Sequence, residues 1–138
     1  MAWLLDTNVL SELRKGPRCT PAVRHWFDGV DERDLYTCVL VIGEIRRGVE
    51  QLRRPNGVAA RSLEHWAEVT EEMFGNRLLP ITAEICHDWA RFDPAQQLPD
   101  IDGLIAATAL HHRLTLVTRN VTDFERSGVA LFNPFGKN

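Results

Sequence analysis

Asp6, Glu44, Asp102 and Asp123 are the residues of this 138-residue chain from which chemistry could start. Asp6 closes the apolar run Ala2-Trp3-Leu4-Leu5, Glu44 and Asp102 fall in the opening turns of helical patterns, and Asp123 follows the exit of a strand. Carboxylates crowded together without counter-charge raise one another's pKa and repel, which a fold shaped for stability alone avoids. A hard divalent cation removes that repulsion, and oxygen donors without His or Cys suit Mg²⁺ or Mn²⁺. Water held by such an ion is deprotonated near neutral pH, and one or two ions can brace a phosphate oxygen and a leaving oxygen. Taken singly, each acid has a plainer role: capping a helix, complementing its dipole or organising a turn. Only jointly do they suggest a site.

The elements around them explain why the acids should meet. Strand-like runs at Ala2–Leu5, Leu35–Val41, Leu78–Ile81, Leu114–Thr118 and Val129–Phe132 alternate with helical patterns. The spacing predicts helices over Thr7–Arg14, stopped by Lys15-Gly16-Pro17, and from Pro21 with Val23, Trp26, Phe27 and Val30 on one stripe. A third opens at Ile42, with Ile45, Val49 and Leu52 on its buried side and Glu44 in its first turn. A long helix runs to about Phe74 with Ala59, Leu63, Trp66, Thr70 and Met73 along one side, and another begins at Thr82-Ala83-Glu84. After a loop bracketed by Pro94 and Pro99, the segment 101–110 is small and apolar almost all round, as in a helix packed on a sheet and covered again. Such alternation implies an α/β fold, a mostly parallel sheet with helices on both faces and right-handed crossovers. In that fold the carboxyl ends of strands and the amino ends of the following helices share one edge, where the four acids are expected.

Length and composition, 44% hydrophobic and 25% charged, fit one compact domain over residues 1–138. The net charge of -3 offers no general basic excess for a nucleic-acid partner, although Arg14, Lys15 and Arg18 form one local basic group and Arg46, Arg47, Arg53 and Arg54 another. Three scattered cysteines, Cys19, Cys38 and Cys86, read as reduced thiols. With no signal-peptide pattern and no membrane-length apolar window, the expected location is the cytoplasm, away from the membrane.

The motifs carrying these acids resemble those of the PIN-domain ribonuclease toxins of the VapC and FitB-like type, over nearly the whole chain. Leu4-Leu5-Asp6-Thr7-Asn8 resembles the opening motif and Ile42-Gly43-Glu44-Ile45-Arg46-Arg47-Gly48 the second; Asp102-Gly103-Leu104-Ile105 and Thr118-Arg119-Asn120-Val121-Thr122-Asp123-Phe124 are similar to the third and fourth. The resemblance implies a PIN-like fold and an endoribonuclease dependent on Mg²⁺ or Mn²⁺, paired with a small antitoxin and dimeric. It also implies that Asp6, Glu44, Asp102 and Asp123 hold the metal and that Thr7, Asn8, Thr118 and Asn120 orient acids, water or substrate. Three departures stand out: Cys38 and Val41 where the family often has Ser and Thr before Glu44, Gly103 where it commonly has Ala, and a second acid, Asp100, beside Asp102.

Two other readings compete. In a receiver-like phosphoryl-transfer domain Asp6 would be the nucleophile, but that chemistry wants an acid two residues on and a positioned lysine. Position 8 is Asn, and the lysines are Lys15 and Lys137. Alternatively, a non-catalytic scaffold could bind metal and act through a partner peptide.

Overall fold

The computed structural model describes residues 1–136 and contains a five-stranded sheet in the order β3-β2-β1-β4-β5, with every neighbouring pair parallel. The strands are β1 (Trp3–Leu5), β2 (Leu35–Cys38), β3 (Leu78–Leu79), β4 (Thr115–Val117) and β5 (Leu131–Phe132). Among the described residues seven α-helices connect and cover them: α1 (Thr7–Arg14), α2 (Pro21–Asp28), α3 (Val39–Leu52), α4 (Gly57–Phe74), α5 (Ala83–Ala90), α6 (Asp100–His111) and α7 (Val121–Phe124). This is the parallel α/β architecture expected from the sequence.

β1 is the centre of the sheet because its side chains are apolar on both faces. Leu4 and Leu5 alternate to opposite sides and are 0% and 1% exposed, which only a strand covered twice allows. Leu4 sits opposite Tyr36 of β2 and Leu116 of β4, and Leu5 opposite Val117. α6 shows why its sequence lacks an amphipathic pattern: Gly103 and the run Ile105 to Ala109 are all buried. α6 packs against α5 on one side and contributes Ile105, Ala106 and Ala109 to the core shared with β1 and β4. Among the described residues no helix is long and apolar enough to cross a membrane.

Two expectations need correction. The second strand ends at Cys38, not Val41, and α3 begins at Val39. The residues Val39, Leu40 and Val41 have strand propensity, but Val41 belongs to the same buried helical stripe as Ile42, Ile45 and Val49, and burial outweighs local preference. Glu44 therefore stands in the second turn of α3, not the first. On α4 the buried residues are Ala60, Ala67, Thr70 and Phe74. The inward face is thus rotated from the anticipated one, and Met73 is 57% exposed.

Candidate active site

Asp6 follows β1, Glu44 lies in the second turn of α3 after β2, Asp102 in the first turn of α6, and Asp123 in α7 after β4. Asp6 follows β1 directly, is 5% exposed and has both oxygens engaged. Its Oδ1 accepts the Thr7 amide at 2.8 Å, and its Oδ2 accepts the Thr118 hydroxyl at 2.9 Å. Asp6 is also the N-cap of α1, so the plain capping role and the site role belong to one residue. Burial pushes its carboxyl above the ordinary range; the donors from Thr118 and Thr7 oppose that shift, and the charge of Glu44 adds to it.

Glu44 receives the hydroxyl of Thr7, Oγ1 to Oε1, at 2.6 Å. Thr7 thus supplies from α1 the orienting hydroxyl that Cys38 and Val41 do not provide. Cys38 itself is buried, and burial pushes its thiol up to about 11, so it stays protonated.

Asp102 occupies the first turn of α6. Its carboxyl is pushed up to about 6, first by burial and then by the charges of Asp6, Glu44 and Asp123, so the other three acids lie within electrostatic reach of Asp102. Asp100, the alternative acid, lies on the same first turn but lines a separate cavity with Trp89 and Gly103. Asp123, in α7, is the solvent-exposed member.

The supporting residues form one network. Asn8 Nδ2 and the Asn120 amide both donate to Thr118 Oγ1, at 3.2 and 3.1 Å, while that hydroxyl donates to Asp6. The Arg119 amide donates to Asn8 Oδ1 at 3.1 Å. Asn120 acts here through its backbone. The loop after β4 is thereby locked to the start of α1, which holds Asp6 in one rotamer.

No cation offsets these acids: among the described residues none of the four is in a salt bridge. Nor do three Asp, Glu, His or Cys side chains close around one point tightly enough to enclose an ion by themselves. An all-oxygen, uncompensated set that leaves coordination positions to water nevertheless fits Mg²⁺, which takes one or two carboxylates and keeps several waters. The receiver-like alternative fits poorly, because Asp6 has both oxygens occupied and Lys15 Nζ is bound to Glu12 Oε1 at 3.0 Å. The other lysine, Lys137, lies outside the described residues.

A cavity lies between the later part of α1 and α4. It is lined by Ser11, Arg14, Lys15 and Arg18 together with Ser62, His65 and Trp66 of α4. Thr7, Ser11 and Arg14 follow one another at helical spacing on α1, so the basic wall begins two turns from the residue that orients Glu44, and Arg18 joins it from the turn beyond the helix. The sequence reveals that basic group but not its placement, because α4 supplies the opposite wall.

A family model described as the PIN domain matches residues 3–128. The chain is 33% identical over 138 residues to "Toxin FitB" of Neisseria gonorrhoeae, covering 96% of this chain and 97% of the relative. It is 31% identical over 141 residues to "VapC ribonuclease Y4jK" of Sinorhizobium fredii, covering 96% of each. Among solved structures, the crystal structure of FitAcB from Neisseria gonorrhoeae superposes with a TM-score of 0.87 at 33% identity, covering 98% of this chain and 99% of that one.

Proposed function

The chain belongs to the PIN-domain family, and from that premise we propose that it is a metal-dependent endoribonuclease, the toxin of a toxin–antitoxin pair. In this reading Asp6, Glu44, Asp102 and Asp123 form the catalytic pocket, and the protein works as a homodimer controlled by a small antitoxin. The observation that carries the reading is the arrangement of the acids: hydrogen bonds from Thr7 and Thr118 at 2.6–2.9 Å hold Asp6 and Glu44, and among the described residues none of the four acids is in a salt bridge. A cluster so charged is stabilised by a cation and ready for one. The relatives named as a toxin and as a ribonuclease support the substrate class.

Asp6, Glu44 and Asp102 are the residues that would hold Mg²⁺ or Mn²⁺, with Asp123 at the open side. When bound, such an ion acidifies a water molecule and neutralises charge on the phosphate. The chain's own residues do the rest. Thr118 and the Thr7 amide fix Asp6, and the Thr7 hydroxyl fixes Glu44, so the two carboxylates meet the substrate without rearranging. Asp102, in the first turn of α6, is the acid assigned to accept a proton from the attacking water. The basic wall of Arg14, Lys15 and Arg18 offers contacts for phosphates of the strand leading away from the cut.

The test is cleavage of a labelled RNA by antitoxin-free protein, with Mg²⁺ or Mn²⁺ and with EDTA. Cleavage that requires the ion and disappears in Asp6→Asn, with the circular dichroism spectrum unchanged, is the expected result. Cleavage of equal rate in Asp6→Asn, or none under any ionic condition, overturns the assignment.

A further inference from the structure

The cavity of about 450 Å³ beside the acids has a character different from the rest of the site. It lies between α5, the following loop and the first turn of α6, and is walled by Trp89, Phe92, Gln96, Gln97, Asp100 and Gly103. Asp100 and Gly103 flank Asp102 in the chain, so the cavity opens within one helical turn of the carboxylate that faces the other three acids.

Its lining excludes some ligands and favours others. No Lys, Arg or His lines it, whereas Asp93 and Asp100 do, so a phosphate is repelled. Two aromatic rings and two amides suit a flat, neutral, hydrogen-bonding group instead. The indole of Trp89 is set deep: a Cβ at position 103 would come within 2.9 Å of its Cδ1 and Nε1. The absence of a side chain at Gly103 is what lets the ring lie against the helix backbone and form that wall. Of the polar groups, Gln96 Nε2 is committed to the Arg126 carbonyl at 2.9 Å, and Asp93 Oδ1 accepts the Ala95 amide at 2.9 Å. Asp100 remains exposed at the rim.

We propose that this cavity binds the base of a nucleotide next to the scissile phosphate, with Trp89 stacking on it and Asp100 accepting a hydrogen bond from an exocyclic amino group. The inference rests on the ribonuclease reading and deepens it by naming a source of sequence preference. A carboxylate accepts from cytosine N4 and is repelled by the carbonyl that uracil carries at the same position. Asp100 is therefore a specificity residue, distinct in role from Asp102.

Anisotropy of 5′-labelled hexamers of cytidine and of uridine, titrated with the full chain in EDTA, reads the pocket without cleavage. The wild-type protein is expected to bind the cytidine hexamer about fivefold or more tightly. Asp100→Asn, which can donate as well as accept, should bring the ratio near one, and Asp100→Glu should restore part of it. Equal affinities in the wild type overturn the proposal, as does a cytidine preference that survives Asp100→Asn. Equal affinities together with protection of Trp89 from quenching only when the antitoxin is added reassign the cavity to a protein partner. Because no metal or turnover enters the measurement, failure of cleavage and failure of base recognition are read separately.

Discussion

Thr7 is a test of how much one hydroxyl contributes to the carboxylate pocket. Thr7→Val removes the 2.6 Å donor to Glu44 while keeping shape, and loss of such an orienting partner is expected to lower metal affinity or cleavage about 10–100-fold. Its circular dichroism spectrum should stay that of the parent; unchanged cleavage would show that Glu44 needs no such restraint. Asp102→Asn should abolish cleavage and also stabilise the metal-free protein. The sign follows from the raised pKa: the folded state holds the proton more tightly than the unfolded chain, so ionisation at neutral pH works against folding. Metal-free stability therefore increases as pH falls from 7 through about 6, and the substitution removes that slope. Allowing for solvent screening, the neutral side chain should add about 1–2 kcal/mol near pH 7, read by urea denaturation in EDTA. The acids themselves stand out in the sequence because Asp6 falls between a strand and a helix, Asp102 at a helix start and Asp123 in the short helix after β4, whereas Glu44 lies one turn inside α3. Their partners do not. Thr118 is 112 residues from the Asp6 that it contacts, and nothing local in either motif states which hydroxyl serves which carboxylate.

The helices add two further tests. Glu12 on α1 is 6% exposed and holds the start of α2: Oε2 accepts the Thr20 amide at 2.8 Å and the Thr20 hydroxyl at 3.1 Å, and Oε1 pairs with Lys15. The Thr20 amide, then Lys15, hold its carboxyl below the ordinary value. The stability it contributes is complete at neutral pH and is lost as pH falls through the ordinary glutamate range and on to the lowered value. Glu12→Ala should cost about 1–3 kcal/mol at pH 7 and much less at pH 3, measured by denaturation at both. Gly103→Ala drives a methyl into Trp89 at 2.9 Å. It should destabilise the α5–α6 pair by about 1–3 kcal/mol, and Trp89→Leu in the same chain should recover part of that. Element boundaries were the least legible level. The run from Leu35 to Val41 is β-branched and apolar throughout, yet the chain turns helical at Val39 because Val41 lies on the buried face of α3. A tertiary contact decides that boundary, and it shifts Glu44 one turn deeper than its sequence pattern suggests.

For the whole molecule, the parallel sheet and its covering helices could be anticipated from alternating patterns. The order β3-β2-β1-β4-β5 could not, since strands of two to four residues carry little information about neighbours. At this scale the ion should act as a ligand for the native state alone. Mn²⁺ at about a hundred times its dissociation constant should stabilise the chain by about 2.7 kcal/mol, seen as a rise in melting temperature. That rise should vanish in Asp6→Asn; if it persists, the cation is held elsewhere. The central position of β1 has a consequence for biosynthesis. Asp6 leaves the ribosome 112 residues ahead of Thr118, the residue after β4, which locks it, and β4 itself pairs with β1. A nascent chain therefore carries this acid through the synthesis of the intervening residues without the hydroxyl that orients it, and the pocket closes only once β4 and Thr118 have emerged.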